Sequence, residues 1–172
     1  IYDFNRDGPF GFARAGPSLA GIERLHRNAG LEALAVTAEG VLLVGAEGGE
    51  AATTPLWLAP LDARESVAPR IAYPIEAGYS LTGLDRLPDG GFVALERFYA
   101  PVIGARARIT MPDVVELAHI APPMPVENLE GIAAQRMPDG ATRIYILSDN
   151  NFSGRQRTLL YAFDVSSESP PR

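Results

Sequence analysis

The side chains in this sequence that could do chemistry are carboxylates, amides and arginines. All 15 basic residues are arginine, and the chain contains no lysine and no cysteine. Schiff-base and phosphate-loop lysines are therefore excluded, as are thiol catalysis, disulfides and cysteine-bound zinc. The pattern Gly-x-Ser-x-Gly is absent, and His26 and His119 lie far along the chain from Ser148 and Ser153. A Ser-His-Asp site is therefore disfavoured.

Carboxylates recur at matching positions of a repeated segment. Residues 28–47, 80–97 and 128–149 share one pattern, an apolar stretch, a glycine turn and a second apolar stretch. One position of this pattern, with spacings of 50 and 48 residues, is occupied by Glu32, Thr82 and Glu130. A second position is occupied by Glu47, Glu96 and Ser148. The repeat predicts one domain over 1–172, with units 28–79, 80–127 and 128–165 and a tail at 166–172.

The elements that must position these residues are predicted to be β-strands. Short apolar runs bounded by turn residues occur at 31–36, 41–44, 54–58, 92–95, 106–111, 114–120, 143–147 and 158–165. Pro-Asp-Gly precedes an apolar run at 88–90 and at 138–140, as in a β-hairpin. Helical periodicity is weak everywhere, and the best candidate for a short helix is 19–27.

An all-β repeat of this length is typical of a β-propeller, with a β-sandwich or open meander as the alternative. Continuous apolar strands fit blades that bury both faces of their sheets. Propellers have about four to eight blades, and this chain supplies about three. We therefore expect it to be part of a larger propeller, or to close its ring with another chain. The open blade faces would then be covered by an absent segment or by a second copy.

In a propeller, residues where the innermost strands begin face the central channel. This predicts that Glu32 and Glu130 converge there. The other carboxylates and amides expected at the same axis are Glu47, Glu96, Asp149, Asn150 and Asn151. Carboxylate and amide oxygens suit a hard cation such as Ca²⁺ or Mg²⁺. The alternative is that the glutamates accept hydrogen bonds or pair with arginines, and that Asp149 and Asn150 belong only to a turn.

Arginines are the second group of candidate site residues. Arg97 follows Glu96 directly, and Arg157 follows the loop at 148–153. A guanidinium fork matches phosphate and carboxylate geometry, so both arginines could hold an anionic ester. The alternative for each is a solvated or ion-paired arginine.

Charge and hydropathy limit the partners. The 21 acidic residues outnumber the 15 basic ones, which gives a net charge of −6 and disfavours nonspecific nucleic-acid binding. No apolar run approaches the roughly 18 residues of a membrane helix. We expect a small anionic ester or similar ligand, no nucleic acid, no membrane span, and self-association if the ring is incomplete.

Several motifs taken together resemble the bacterial phytase-like family, named for an esterase-like activity of phytase. They are RNAGLEALA at 27–35, LPDG at 87–90, LERFY at 95–99, NLEGIA at 128–133, SDNNFS at 148–153 and QRT at 156–158. The resemblance implies a β-propeller whose N-terminal blades are missing here, ester or phosphate-ester hydrolysis, and a periplasmic or secreted location. The recurrent polar positions that it implies are Asn28, Glu32, Glu96, Arg97, Asn128, Glu130, Ser148, Asp149, Asn150, Gln156 and Arg157.

The leading hypothesis is a metal-dependent phosphoric or carboxylic ester hydrolase. Its predicted cation, Ca²⁺ in the first place, has as ligands Glu32, Glu130, Asn128, Asp149 and Asn150. Its predicted catalytic residues are Glu32, Glu130, Arg97 and Arg157, with the arginines clamping the anion and a metal-bound water attacking. The alternatives are a non-enzymatic ligand- or partner-binding propeller of the cell envelope, and a lactonase-like propeller with a central Ca²⁺.

Overall fold

The protein is an all-β structure, as the sequence predicts. A computed structural model describes residues 8, 11–12, 16–27, 29–48, 52–60, 66–111 and 115–165. In this part of the chain the strands are β1 (Ser18–Leu19), β2 (Leu31–Val36), β3 (Val41–Ala46), β4 (Thr53–Pro60), β5 (Val67–Ala68), β6 (Arg70–Pro74), β7 (Tyr79–Arg86), β8 (Phe92–Ala100), β9 (Gly104–Met111), β10 (Val115–Ile120), β11 (Asn128–Arg136), β12 (Thr142–Asp149) and β13 (Leu160–Val165).

The strands form three antiparallel sheets that follow the order of the chain. The first sheet is β2-β3-β4-β6, the second is β7-β8-β9-β10 and the third is β11-β12-β13. The first strands of the sheets pack side by side, β2 against β7 and β7 against β11. We call β2, β7 and β11 the inner strands. The sheets described here form no closed ring, and a small parallel pair, β1 with β5, lies beside β4.

Each predicted apolar run lies on a strand, apart from its ends and from Val114, which is outside the described residues. The prediction of a short helix over 19–27 is wrong. Within residues 19–27 the structure has one 3₁₀ turn, Ile22–Arg24, after which Leu25 returns to extended backbone. The backbone before this turn makes other contacts in place of helical hydrogen bonds. Leu19 pairs with Ala68, and the Ala20 carbonyl accepts a hydrogen bond from Trp57 Nε1 at 2.9 Å.

Two apolar cores lie between the three antiparallel sheets, and a third packs the first sheet against the β1–β5 pair around the buried Trp57. The first and second sheets bury Leu43, Leu56, Tyr73, Leu81 and Leu84, among others. The second and third sheets bury Val93, Leu95, Ile109, Leu129, Ile144 and Ile146, among others. The middle sheet is thus covered on both faces, which explains why Val93, Ala94 and Leu95 are buried in succession.

Candidate functional site

A β-bulge interrupts each inner strand at the same position of the sequence pattern. The pairing register shifts between Leu31 and Ala33 in β2, between Leu81 and Gly83 in β7, and between Leu129 and Gly131 in β11. The extra residues are therefore Glu32, Thr82 and Glu130. Because a bulge redirects the side chain of its extra residue, these three positions share a local geometry that regular strands would not provide.

Glu32 lies in an acidic environment made by two other glutamates. Desolvation is the largest effect, and together with the negative charges of Glu47 and Glu130 and a hydrogen bond to Glu47 it raises the pKa of Glu32 to about 7. Arg97 acts in the opposite direction and favours the ionised form. The fold thus brings Glu32 and Glu130 within electrostatic reach of each other, from sheets that are not adjacent.

Arg97, on β8 of the second sheet, joins the first sheet to the third. Its Nη2 lies 3.3 Å from Glu47 Oε1, just beyond β3, and its Nη1 donates a hydrogen bond to Asn128 Oδ1 on β11. Asn128 Nδ2 in turn donates to Glu130 Oε1 at 2.5 Å. We call Glu32, Glu47, Arg97, Asn128 and Glu130 the carboxyl–arginine cluster. Its members come from all three sheets, so it exists only in the folded chain.

One buried polar atom of the cluster has no hydrogen-bond partner among the described residues. Arg97 Nε is buried and makes no hydrogen bond, although the side chain as a whole is 22% exposed. A buried donor without an acceptor costs free energy, typically about 1–3 kcal/mol. An anionic ligand reaching Arg97 would remove that cost while pairing with a positive charge.

Two cavities are lined in part by residues of the cluster. A cavity of about 640 Å³ has Glu47 in its wall, together with His26, Arg70 and Ser80. A second cavity of about 370 Å³ is lined by Arg97, Tyr99, Val126, Glu127, Asn128, Asn151 and Gln156, among others. The second cavity gives a small anionic molecule access to both Arg97 and Asn128.

Arg157 lies at the edge of this second cavity and not in the cluster. Its Nε pairs with Glu127 Oε1 at 2.9 Å. Ser148 holds the same loop, because its Oγ donates to the Arg157 carbonyl and accepts from the Leu159 N–H, both at 2.8 Å. The Ser148 hydroxyl thus makes its hydrogen bonds within this loop.

Asp149 and Asn150 lie in a tight turn after β12. Asp149 Oδ1 accepts a hydrogen bond from the Asn151 N–H at 3.1 Å, and Asn150 Oδ1 accepts one from the Phe152 N–H at 3.0 Å. Within the described part of the chain, no group of three or more His, Asp or Glu residues could hold a metal ion. The predicted ligand set, which also includes two asparagines, stays a prediction, and so does Ca²⁺.

Glu96 does not join the cluster, although its position in the repeat matches that of Glu47. Neighbouring residues of a strand point to opposite faces, so Glu96 faces away from Arg97 and into the first core. It is fully buried and accepts hydrogen bonds from Thr110 Oγ1 at 2.9 Å and Tyr73 Oη at 3.1 Å. Burial raises its pKa, opposed by these hydrogen bonds and by Arg108.

Sequence reasoning expected Glu47 at the same axis as Glu32, but it missed the link that Asn128 makes between Arg97 and Glu130. The signal for Glu47 was its recurrence in the repeat, and that for Asn128 was its place two residues before Glu130. Asn28, which the family resemblance also implies, lies outside the described residues.

Fold and site together define an all-β protein of antiparallel sheets with a carboxyl–arginine cluster where its inner strands meet. The family model "Phytase-like: Esterase-like activity of phytase" matches residues 1–152, so the chain belongs to the phytase-like family. No curated protein and no solved structure gives a significant match. The described residues include no helix long and apolar enough to cross a membrane.

Proposed function

We propose that this protein is an ester hydrolase that cleaves a small anionic ester, such as a phosphate ester, at the carboxyl–arginine cluster. Family membership supports the reaction class, and one observation supports the site: a glutamate with a pKa of about 7 beside an arginine. A general acid or base works best when its pKa lies near the working pH. The side-by-side inner strands support a propeller arrangement for the three sheets.

Arg97 would bind the anionic group of the substrate. Its buried Nε has no acceptor, and its two terminal nitrogens are fixed by Glu47 and Asn128, which holds the guanidinium in one orientation. A guanidinium held in this way can stabilise negative charge as it develops on the reacting ester. Asn128 acts here as a positioning residue for Arg97.

Glu32 and Glu130 would carry the protons. Water attacks the phosphorus or carbonyl carbon, the Glu130 carboxylate accepts the proton of that water, and the bond to the leaving oxygen breaks. Protonated Glu32 donates its proton to the leaving oxygen, so an alcohol departs. The two glutamates thus exchange protonation states in one turnover, and solvent restores them. General acid–base catalysis of this kind contributes about 10²–10⁴-fold in rate.

The first test is hydrolysis of phytate, 4-nitrophenyl phosphate and 4-nitrophenyl butyrate by the protein and its variants. Arg97→Lys is expected to lose most activity toward the phosphates, because lysine cannot reproduce the guanidinium fork. Arg136→Lys is the matched control, since Arg136 bonds only its own hairpin turn. Equal activities in the two variants would contradict the assignment of Arg97, and no hydrolysis by the unaltered protein would contradict the enzyme proposal.

A non-enzymatic binding propeller of the cell envelope is the second candidate. It is favoured by the pairing within the cluster, since Glu47, Arg97, Asn128 and Glu130 are already linked to one another without a substrate. Calorimetric binding of the same compounds without turnover would support this candidate. A periplasmic or secreted location, which the family resemblance implies, suits either function.

The predicted divalent cation is a separate proposal, and the steps above do not use it. In the structure, the positive charge among the glutamates is the Arg97 guanidinium. Treatment with EDTA decides between the two, and hydrolysis that survives it would contradict the cation prediction. Activity that disappears with EDTA and returns with Ca²⁺ would instead support the cation prediction and contradict a mechanism carried by the side chains alone.

A further inference from the structure

The second cavity has an aromatic residue beside the arginine proposed to bind the anion. Tyr99 follows Arg97 by two positions on β8, and both residues line this cavity. Because alternate residues of a strand share a face, their side chains leave the same face of β8, with Cα atoms about 7 Å apart. Tyr99 is 68% exposed, so its ring is accessible to a ligand that also reaches Arg97.

Small apolar side chains lie next to Tyr99 in the cavity lining. Ala105 is opposite Tyr99 in the pairing of β8 with β9, and Val126 precedes β11. Neither side chain can form a hydrogen bond. The part of a ligand that contacts these residues should therefore have an uncharged, flat surface, since burying a charge there would cost free energy.

Two amide side chains from the loop after β12 also line the cavity. Asn151 Nδ2 donates a hydrogen bond to Gln156 Oε1 at 3.1 Å. This bond uses neither the oxygen of the Asn151 amide nor the nitrogen of the Gln156 amide. The two side chains thus retain an acceptor and a donor, a combination that a hydroxyl group satisfies because it both donates and accepts.

The loop that carries these amides has an unusual backbone conformation. Asn151 and Phe152 are both in the left-handed region, with φ of 50° and 53°. Residues other than glycine seldom adopt this region, and such strain clusters at functional sites. Hydrogen bonds from their N–H groups to Asp149 Oδ1 and Asn150 Oδ1 hold the turn. The loop is therefore ordered before a ligand binds, which lowers the entropic cost of binding.

We propose that the ester cleaved at the carboxyl–arginine cluster is a monosaccharide phosphate whose sugar ring occupies the second cavity. This inference rests on the proposed function, which places the phosphate on Arg97. A sugar ring has C–H faces that pack on an aromatic ring such as Tyr99, and its hydroxyl groups match the Asn151 and Gln156 amides. The cavity volume of about 370 Å³ lies in the range of about 300–1,000 Å³ typical of small-molecule sites.

The test is calorimetric binding of glucose 6-phosphate, glycerol 3-phosphate and phenyl phosphate, followed by kcat/KM for the same three compounds. Glycerol 3-phosphate lacks the ring, and phenyl phosphate has a ring without hydroxyl groups. We expect the unaltered protein to bind glucose 6-phosphate about tenfold more tightly than either of the others, which corresponds to one or two neutral hydrogen bonds.

Gln156→Ala separates the contact with the sugar hydroxyls from the contact with the anion. This variant should lose about five- to tenfold in affinity for glucose 6-phosphate and keep its affinity for phenyl phosphate within about twofold. Gln135→Ala is the matched control. Gln135 is exposed near the C-terminal end of β11, whereas Asn128, which lines the cavity, begins that strand, so this variant should bind like the unaltered protein.

Tyr99→Ala tests the packing of the ring. It should weaken binding of glucose 6-phosphate and phenyl phosphate and leave binding of glycerol 3-phosphate nearly unchanged, because only the first two compounds have a ring. Tyr99→Phe keeps the aromatic face and should restore binding. Equal losses for all three compounds in Tyr99→Ala would contradict the role of this side chain.

The outcomes separate this inference from the proposed function. Equal affinities of the unaltered protein for the three compounds, or tighter binding of phenyl phosphate, would overturn the monosaccharide assignment and leave the anion site intact. No binding of any of the three would contradict the proposed function, and the inference with it. Preferential binding of glucose 6-phosphate without turnover would support the ring site and favour the non-enzymatic candidate.

Discussion

At the scale of single residues, the defining feature of this molecule is the protonation of Glu32. Its carboxyl group is desolvated, hydrogen-bonded to Glu47 and close to the charge of Glu130, and each effect favours the protonated form. The raised pKa therefore favours a protonated Glu32 near neutral pH. The site thus holds an acid that is available at neutral pH.

The raised pKa of Glu32 predicts how stability depends on pH. The native state holds this proton up to about pH 7, whereas the usual glutamate pKa is 4.5. The native state therefore binds more protons in this window, and the free energy of unfolding falls as the pH rises through it. Glu32→Gln should remove this dependence of stability on pH. The difference in Tm between the unaltered protein and the variant should therefore shrink, or change sign, between pH 5 and pH 8.

Glu39→Gln is the control for that measurement. Glu39 is fully exposed at the opposite end of the same hairpin, and its hydrogen bond with Thr37 lowers its pKa. The stability that ionised Glu39 contributes is therefore lost only at pH values below the usual glutamate pKa. The effect of Glu39→Gln on Tm should then be constant from pH 5 to pH 8. A slope that persists in Glu32→Gln and vanishes in Glu39→Gln would contradict the assignment.

At the scale of the elements, the bulges of the inner strands determine both the site and the packing of the sheets. Each bulge presents its extra residue where the inner strands meet, and the small residue that follows lets the next sheet approach closely. Thr82 links the bulge to the packing of the sheets, because the hydroxyl group of this bulge residue donates a hydrogen bond to the Leu129 carbonyl of the next sheet. A change at the small residue after a bulge should therefore disturb stability and site together.

Gly83→Ala tests this coupling. The new methyl group would meet Ile132 and the backbone at Glu130, so we expect a loss of about 1–3 kcal/mol in the free energy of unfolding. Gly91→Ala is the control, because its nearest neighbour would lie at an ordinary 3.6 Å. Chemical denaturation measures both. Adding Ile132→Ala, which removes the Cγ2 that the new methyl group would meet, should recover part of the loss, and a double variant no more stable than the sum of the single changes would contradict the proposed contact.

Individual strands could be predicted from the sequence more reliably than the contacts between strands of different sheets. Strands such as β2 could be predicted because an apolar run between turn residues depends only on local pattern. β6 was missed because it ends in Pro74, contains Arg70 and lies at a sheet edge, where burial is low. Glu96 was misplaced because the repeat gives its position along a strand but not which face it occupies.

At the scale of the whole molecule, the site depends on three sheets being held side by side. Arg97 reaches Glu47 in the first sheet and Asn128 in the third, so no sheet alone contains the cluster. No local pattern could predict these pairings, since they join residues 50 and 31 positions apart in the chain. The equivalence of Glu32 and Glu130, by contrast, was visible in the repeat.

The most direct test of the proposed function is the pH dependence of kcat/KM for phytate hydrolysis, measured for the unaltered protein, Glu32→Gln and Glu39→Gln. The account predicts that activity falls as the pH rises through about 7, where Glu32 loses its proton, and that Glu39→Gln keeps this profile. Glu32→Gln should lose about 10²–10⁴-fold in rate and show no such inflection. An unchanged profile and rate in Glu32→Gln would contradict the central claim.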